Sequence, residues 1–141
     1  GVGLGAQILA LAAGGGSEPA ALRFEVTRAH RTNDSALNGY LPAEYPLALY
    51  MRDWPAPPGH AEVLARDDRG RAALWQIGKN ALGFSGHPGL KVAMVEDLIM
   101  EFEESPQGVG PELDKLRMVQ REIDDALVPI MTGVVQVAAL M

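Results

Sequence analysis

The chain has 141 residues, of which 48% are hydrophobic and 21% are charged, and it contains no cysteine. This balance excludes a largely disordered chain, and the lack of cysteine excludes disulfides, a thiol nucleophile and thiolate metal sites. The formal net charge of −6 argues against nucleic-acid binding, because an acidic protein repels phosphate backbones.

The acidic excess lies in the C-terminal part of the chain. Residues 1–88 carry eight acidic and eight basic side chains, whereas residues 89–141 carry ten acidic and four basic ones. This pattern favours a solvated acidic helix face, and it leaves open a docking face for a basic partner.

Both ends of the chain, residues 1–17 and 126–141, lack charged side chains. Each run is too short, and too interrupted by glycine or proline, to span a membrane, and the first lacks the basic start of a signal peptide. With no cysteine either, the sequence predicts a cytoplasmic location. Residues 1–141 have the length of a single domain. Because a glycine-rich break follows residue 13, residues 1–17 could alternatively be a separate or grafted segment.

The predicted elements begin with residues 4–13, which favour a short buried helix or strand. Residues 22–28 alternate apolar and polar side chains and predict a strand, with a helix as the alternative. A long loop is predicted over 30–46, followed by a short apolar strand at 47–52. The proline-rich segment 54–59 is expected to contain no regular element.

A β-hairpin is predicted over residues 62–75, where the sequence DDRG joins two apolar runs. This sequence suits a type I turn followed by a glycine with positive φ. The alternative is a helix over residues 71–82, because its apolar side chains would then share one face.

The last third predicts two amphipathic helices, at about 89–104 and 111–128. Pro129 is expected to kink or end the second helix near Val128. Residues 130–141 are left open between helix and strand, and apolar residues from Leu116 to Met141 give weak support for a partner-helix seam. The elements together predict an α+β domain, in which an antiparallel sheet of about four strands packs against two C-terminal helices; an all-α domain is the alternative.

The sequence ALGFSGHPGL at residues 81–90 resembles two catalytic loops and completes neither. Residues 83–87 are one residue from G-x-S-x-G, which holds a nucleophilic serine on a strand-to-helix turn, but His87 replaces the last glycine. Residues 78–83 begin like a phosphate-binding loop, but Phe84 stands where that loop needs lysine.

Two interpretations of this stretch remain. In the first, Gly83 ends one element, Ser85 or His87 caps the next helix, and Pro88 occupies its first turn. In the second, Ser85, Gly86 and His87 bind an anion, such as a carboxylate or a phosphate, at that helix start.

No metal site and no cofactor are predicted. His30, His60 and His87 are scattered along the chain, and none of them has the helical spacing of H-E-x-x-H.

The preferred function is a non-catalytic interaction or assembly protein, such as an adaptor, an inhibitor or a homo-oligomer subunit, because uncharged ends favour burial against a protein partner or a second copy. The predicted interface residues are Ile8, Leu11, Trp54, Ile130, Val134 and Val137. The alternative is a small enzyme or a metabolite- or anion-binding domain that uses Ser85 and His87, with Trp75 on one wall. Since no catalytic motif is complete, the sequence leaves enzyme activity open and leans against it.

Overall fold

The computed structural model describes residues 1–101, 106 and 108–138. The helices are α1 (Leu4–Ala12), α2 (Val92–Glu101) and α3 (Val109–Val137), with a 3₁₀ turn at Ala36–Gly39. The strands are β1 (Gly16–Glu18), β2 (Arg23–Arg31), β3 (Glu44–Met51), β4 (Trp54–Ala56), β5 (Glu62–Asp67), β6 (Ala72–Ile77) and β7 (Ala81–Phe84).

The strands form a five-stranded antiparallel sheet in the order β3-β2-β5-β6-β7 and a separate two-stranded sheet of β1 and β4. The α+β prediction is confirmed, including the hairpin, which β5 and β6 form with Gly70 at a φ of 79°. The open choices at residues 22–28 and 71–82 are both resolved as strands.

Three expectations about local structure were wrong. The proline-rich segment forms β4, because Trp54 and Ala56 lie beside β1 and their strand lies at the edge, where proline is tolerated. The expected loop at 30–46 is shorter, since β2 extends to Arg31 and β3 begins at Glu44. The glycine-rich break after residue 13 was expected to be flexible, but from Gly16 onward its residues form β1.

The two C-terminal helices differ from their expected bounds. Helix α2 begins at Val92, and its expected end near residue 104 lies outside the described residues, as does Met141 of the expected seam. Helix α3 continues through Pro129 to Val137. Proline removes one backbone hydrogen bond there, and the burial of the next residue, Ile130, against the sheet holds the helix in place.

Among the described residues, three apolar clusters hold these elements together. The largest lies between the sheet and the C-terminal part of α3, and a second joins Phe24 of β2 to α2 and α3. The third packs Ala6 and Ala10 of α1 against Trp75 of β6. Across the ranges that the structure describes, no helix has both the length and the hydropathy that crossing a membrane requires.

Candidate functional site

The first residues of the chain lie alongside β7 in a parallel arrangement. The Gly1 amino group donates to Leu82 O at 2.7 Å, Phe84 N donates to Gly1 O at 2.8 Å, and Gly3 N donates to Phe84 O at 3.0 Å. Helix α1 then begins at Leu4, so the backbone turns from strand to helix within one residue.

That residue, Gly3, has a φ of 55° and a ψ of −115°, a conformation that strongly favours glycine. Sharp strand-to-helix turns of this kind present the residue at their apex, and in hydrolases the apex carries the nucleophile within G-x-S-x-G. Here the corresponding pattern is Gly1-x-Gly3-x-Gly5. The apex has open space, since a Cβ on Gly3 would meet nothing within 4 Å, but it carries no reactive group.

A pocket of about 210 Å³ lies beside this turn. It is lined by Val2, Gly3, Tyr50, Met51, Ser85, Gly86, His87, Leu90, Met94 and Leu98. The pocket therefore brings the apex of the turn together with the loop that follows β7, although the two are far apart in sequence.

The loop after β7 is held against β3 by close packing. The His87 N–H donates to Ala48 O at 3.1 Å. A Cβ on Gly86 would lie 2.5 Å from Leu47 Cδ1, so only glycine permits this approach. Together these contacts hold the backbone of the loop in place, and with it the position of His87 at the pocket.

The His87 imidazole is a neutral hydrogen-bond donor in this arrangement. Gly89 N donates to His87 Nδ1 at 3.0 Å, so Nδ1 is the acceptor and the ring proton belongs to Nε2. Burial lowers the pKa of His87 from its ordinary value, because a partly buried imidazolium loses solvation. Near neutral pH the ring thus offers Nε2–H to a ligand.

Ser85 serves the fold. Its side chain is completely buried, and its hydroxyl donates to Ala72 O at 2.7 Å while its N–H donates to Ala73 O at 2.9 Å. Because α2 begins only at Val92, the expectation that Ser85 or His87 caps that helix with Pro88 in its first turn was wrong.

The other candidate residues from the sequence lie in different places. Ile8 and Leu11 are exposed on α1, whereas Trp54 and Ile130 are buried within this chain, and Val134 and Val137 pack against the main cluster. Trp75 is fully buried beneath α1 and does not line the pocket, contrary to expectation. Over the described ranges, no group of three or more His, Cys, Asp or Glu side chains could hold a metal ion.

A lowered His87 pKa makes stability depend on pH. The unfolded imidazole has an ordinary pKa of about 6.5, so below that value the unfolded chain binds protons more readily than the folded one. The free energy of unfolding is expected to fall as the pH drops from 6.5 towards the folded pKa, and to be retained above about 6.5. Urea unfolding at a series of pH values should show a flatter profile for His87→Gln than for the parent, and identical profiles would contradict this assignment.

The sequence matches no family model, and no curated protein matches it either. The fold, in contrast, is shared with several solved structures. A protein known as SMU.1228c superposes with a TM-score of 0.73 at 18% identity, covering 97% of this chain and 62% of that one.

Two further structures carry functional names. A glutamine amidotransferase from Thermotoga maritima has a TM-score of 0.71 at 14% identity, covering 98% of this chain and 61% of that one. A glutamine amidotransferase from Methylobacillus flagellatus has a TM-score of 0.68 at 17% identity, covering 94% and 62%. The chain thus spans less than two thirds of the length of each protein.

These similarities overturn the preferred interpretation from sequence. The prediction of a protein-protein interaction or assembly subunit, such as an adaptor, an inhibitor or a homo-oligomer component, was wrong, because the chain shares its fold with solved glutamine amidotransferases. The alternative, a small enzyme or metabolite-binding domain that uses the loop at residues 85–87, agrees better with this fold and with the pocket.

The strand-to-helix turn was missed in the sequence. The resemblance to G-x-S-x-G lies at residues 83–87, but β7 leads into a loop and not directly into a helix. The signal was the alternating glycines at 1, 3 and 5 immediately before an apolar helical stretch.

Proposed function

We propose that this chain is a glutamine amidotransferase-like domain that binds a small ligand carrying an amide or carboxylate group, in the pocket between Gly3 and His87. The observation that carries the proposal is the convergence of the Gly3 turn and the His87 donor on one pocket. The shared fold with the two named amidotransferases supports the choice of ligand class.

His87 recognises the ligand through Nε2–H. With Nδ1 occupied by the Gly89 N–H, Nε2 is the ring position left to donate, and a carbonyl or carboxylate oxygen is its natural acceptor. The His87 residue is exposed overall, so this donor is accessible to an incoming ligand.

The same groups support binding without covalent chemistry. Acyl transfer by an enzyme nucleophile needs a side chain at the apex of the turn and a base within reach. Gly3 has no side chain, and the sequence has no cysteine. The Ser85 hydroxyl already donates a hydrogen bond to Ala72 O. His87 in this tautomer holds a proton at Nε2 and so cannot accept one there.

The walls of the pocket define the rest of the ligand. They are mainly apolar, formed by Val2, Met51, Leu90, Met94 and Leu98. A volume of about 210 Å³ suits a ligand of roughly amino-acid size with its polar group at His87.

The cytoplasmic location, a protein partner or self-association, and a basic partner for the acidic helix face all stay predictions.

Titration with glutamine, followed by amide NMR, tests the proposal. Saturable shifts are expected for Gly3, Gly86 and His87, with Met118 on α3, which does not line the pocket, as the control. An assay for ammonia under the same conditions is expected to show no release above a protein-free blank. The proposal fails if the three amides do not move with glutamine or with a simple carboxylate such as acetate.

A further inference from the structure

A second cluster of polar groups surrounds Trp54. The cavity beside it shares no lining residue with the His87 pocket. The guanidinium carbon of Arg71 lies 4.0 Å from the centroid of the Trp54 ring, and that of Arg23 lies 5.2 Å from it. Two cations therefore contact one indole ring.

The two arginines differ in how their charge is balanced. Arg71 Nε donates to Asp67 Oδ2 at 2.7 Å, and its Nη2 donates to Glu25 Oε1 at 2.8 Å. Arg23 Nε and Nη2 are buried and find no acceptor among the residues that the structure describes. Burial, and then the positive charge of Arg71, lower the pKa of Arg23.

Trp54 adds a third unsatisfied donor. The residue is only 4% exposed, and its Nε1–H has no acceptor within the described part of the chain. Buried donors are almost always paired, so three unpaired ones around a single ring indicate that the cluster lacks hydrogen-bond acceptors.

A cavity of about 400 Å³ opens at this cluster. Its polar lining includes Arg66 and Arg71, with Glu18 as the acidic member, whereas Arg23 packs against the Trp54 ring without lining the cavity. Arg66 Nη1 donates to Gly70 O at 2.8 Å. The Trp54 ring and the prolines at 55, 57 and 58 supply an apolar wall.

We propose that this cavity binds an oxyanion carried on an apolar body, such as an aromatic carboxylate or a phosphate monoester. The oxyanion supplies acceptors at the cavity lined by Trp54, Arg66 and Arg71, and the forked geometry of a guanidinium matches carboxylate and phosphate oxygens. The apolar body packs against Trp54 and the prolines. The site is independent of the proposed amide-binding function.

The indole N–H resonances of the full chain give a direct test by NMR. Benzoate, phenyl phosphate and inorganic phosphate are titrated separately to about 20 mM, which covers weak dissociation constants near 1 mM. The Trp54 resonance, assigned with Trp54→Phe, is expected to shift saturably with benzoate or phenyl phosphate, more than with inorganic phosphate. Trp75 is an internal control, because its Nε1 is also buried without an acceptor among the described residues and lies outside the cavity.

Arg66→Gln tests whether the guanidinium of the cavity holds the anion. Removing one charge-assisted contact is expected to weaken binding roughly tenfold, whereas Arg117→Gln on α3 should leave the affinity unchanged. Both arginines are exposed, so neither change should prevent folding. The proposal is overturned if the Trp54 resonance does not respond to any of the three anions, or if Arg66→Gln and Arg117→Gln bind equally well.

Discussion

Replacing Gly83 with alanine is expected to lower the free energy of unfolding by about 3 kcal/mol, the upper range for overpacking a core. Gly83 lies opposite Trp75 in the register of β6 and β7, and a Cβ there would lie 2.5 Å from Trp75 Cε2. The indole is fully buried and packs against Ala6 and Ala10 of α1. The ring therefore has no free space into which it can move.

Urea denaturation followed by circular dichroism measures this change. Gly59→Ala is the matched control, since a Cβ at Gly59 would meet nothing within 4 Å, and it should change stability by less than about 0.5 kcal/mol. Equal effects at the two glycines would show that the Trp75 contact does not constrain the sheet. Because β7 positions both the Gly3 turn and the His87 loop, Gly83→Ala should also weaken glutamine binding.

Replacing His87 with alanine is expected to weaken glutamine binding about tenfold, the usual effect of losing one hydrogen bond to a ligand. The reason is that Nε2–H is the donor to which the ligand oxygen binds. His87→Gln, whose side-chain amide can donate, should recover part of the affinity. Isothermal titration calorimetry measures all three proteins.

His60→Ala serves as the matched control for that series. His60 is exposed between β4 and β5 and does not line the pocket, so this variant should bind like the parent. If His87→Ala binds glutamine as tightly as His60→Ala does, recognition does not depend on the imidazole. If alanine and glutamine at position 87 weaken binding equally, His87 acts only through the packing of its loop.

Local sequence patterns predicted most of the sheet and helices. The DDRG turn at residues 67–70 and the alternation at 22–28 each act over a few residues, so the hairpin and β2 follow from them. Strand β4 could not be predicted from its own proline-rich sequence. It forms because it pairs with β1, which lies almost 40 positions earlier in the chain. The continuation of α3 past Pro129 depends in the same way on the burial of Ile130 against the sheet.

The site was predicted only in part. The glycines around Ser85 and His87 led to the prediction of a ligand site in this loop, and Ser85, Gly86 and His87 line a pocket in the structure. The role of Gly3 was missed, because its turn is defined by hydrogen bonds to β7 between residues 81 positions apart in the sequence. The hydrogen bond from the Ser85 hydroxyl to Ala72 O likewise depends on a neighbouring strand.

The protonation of the His87 ring in the folded protein tests the central claim most directly. Long-range ¹H–¹⁵N correlation spectra distinguish a proton on Nε2 from one on Nδ1 and from the charged ring. The hydrogen bond from Gly89 N to His87 Nδ1 predicts a neutral ring protonated at Nε2 near neutral pH, both free and with glutamine bound. A proton on Nδ1 would leave Nε2 free to act as a base and would contradict a site built for binding.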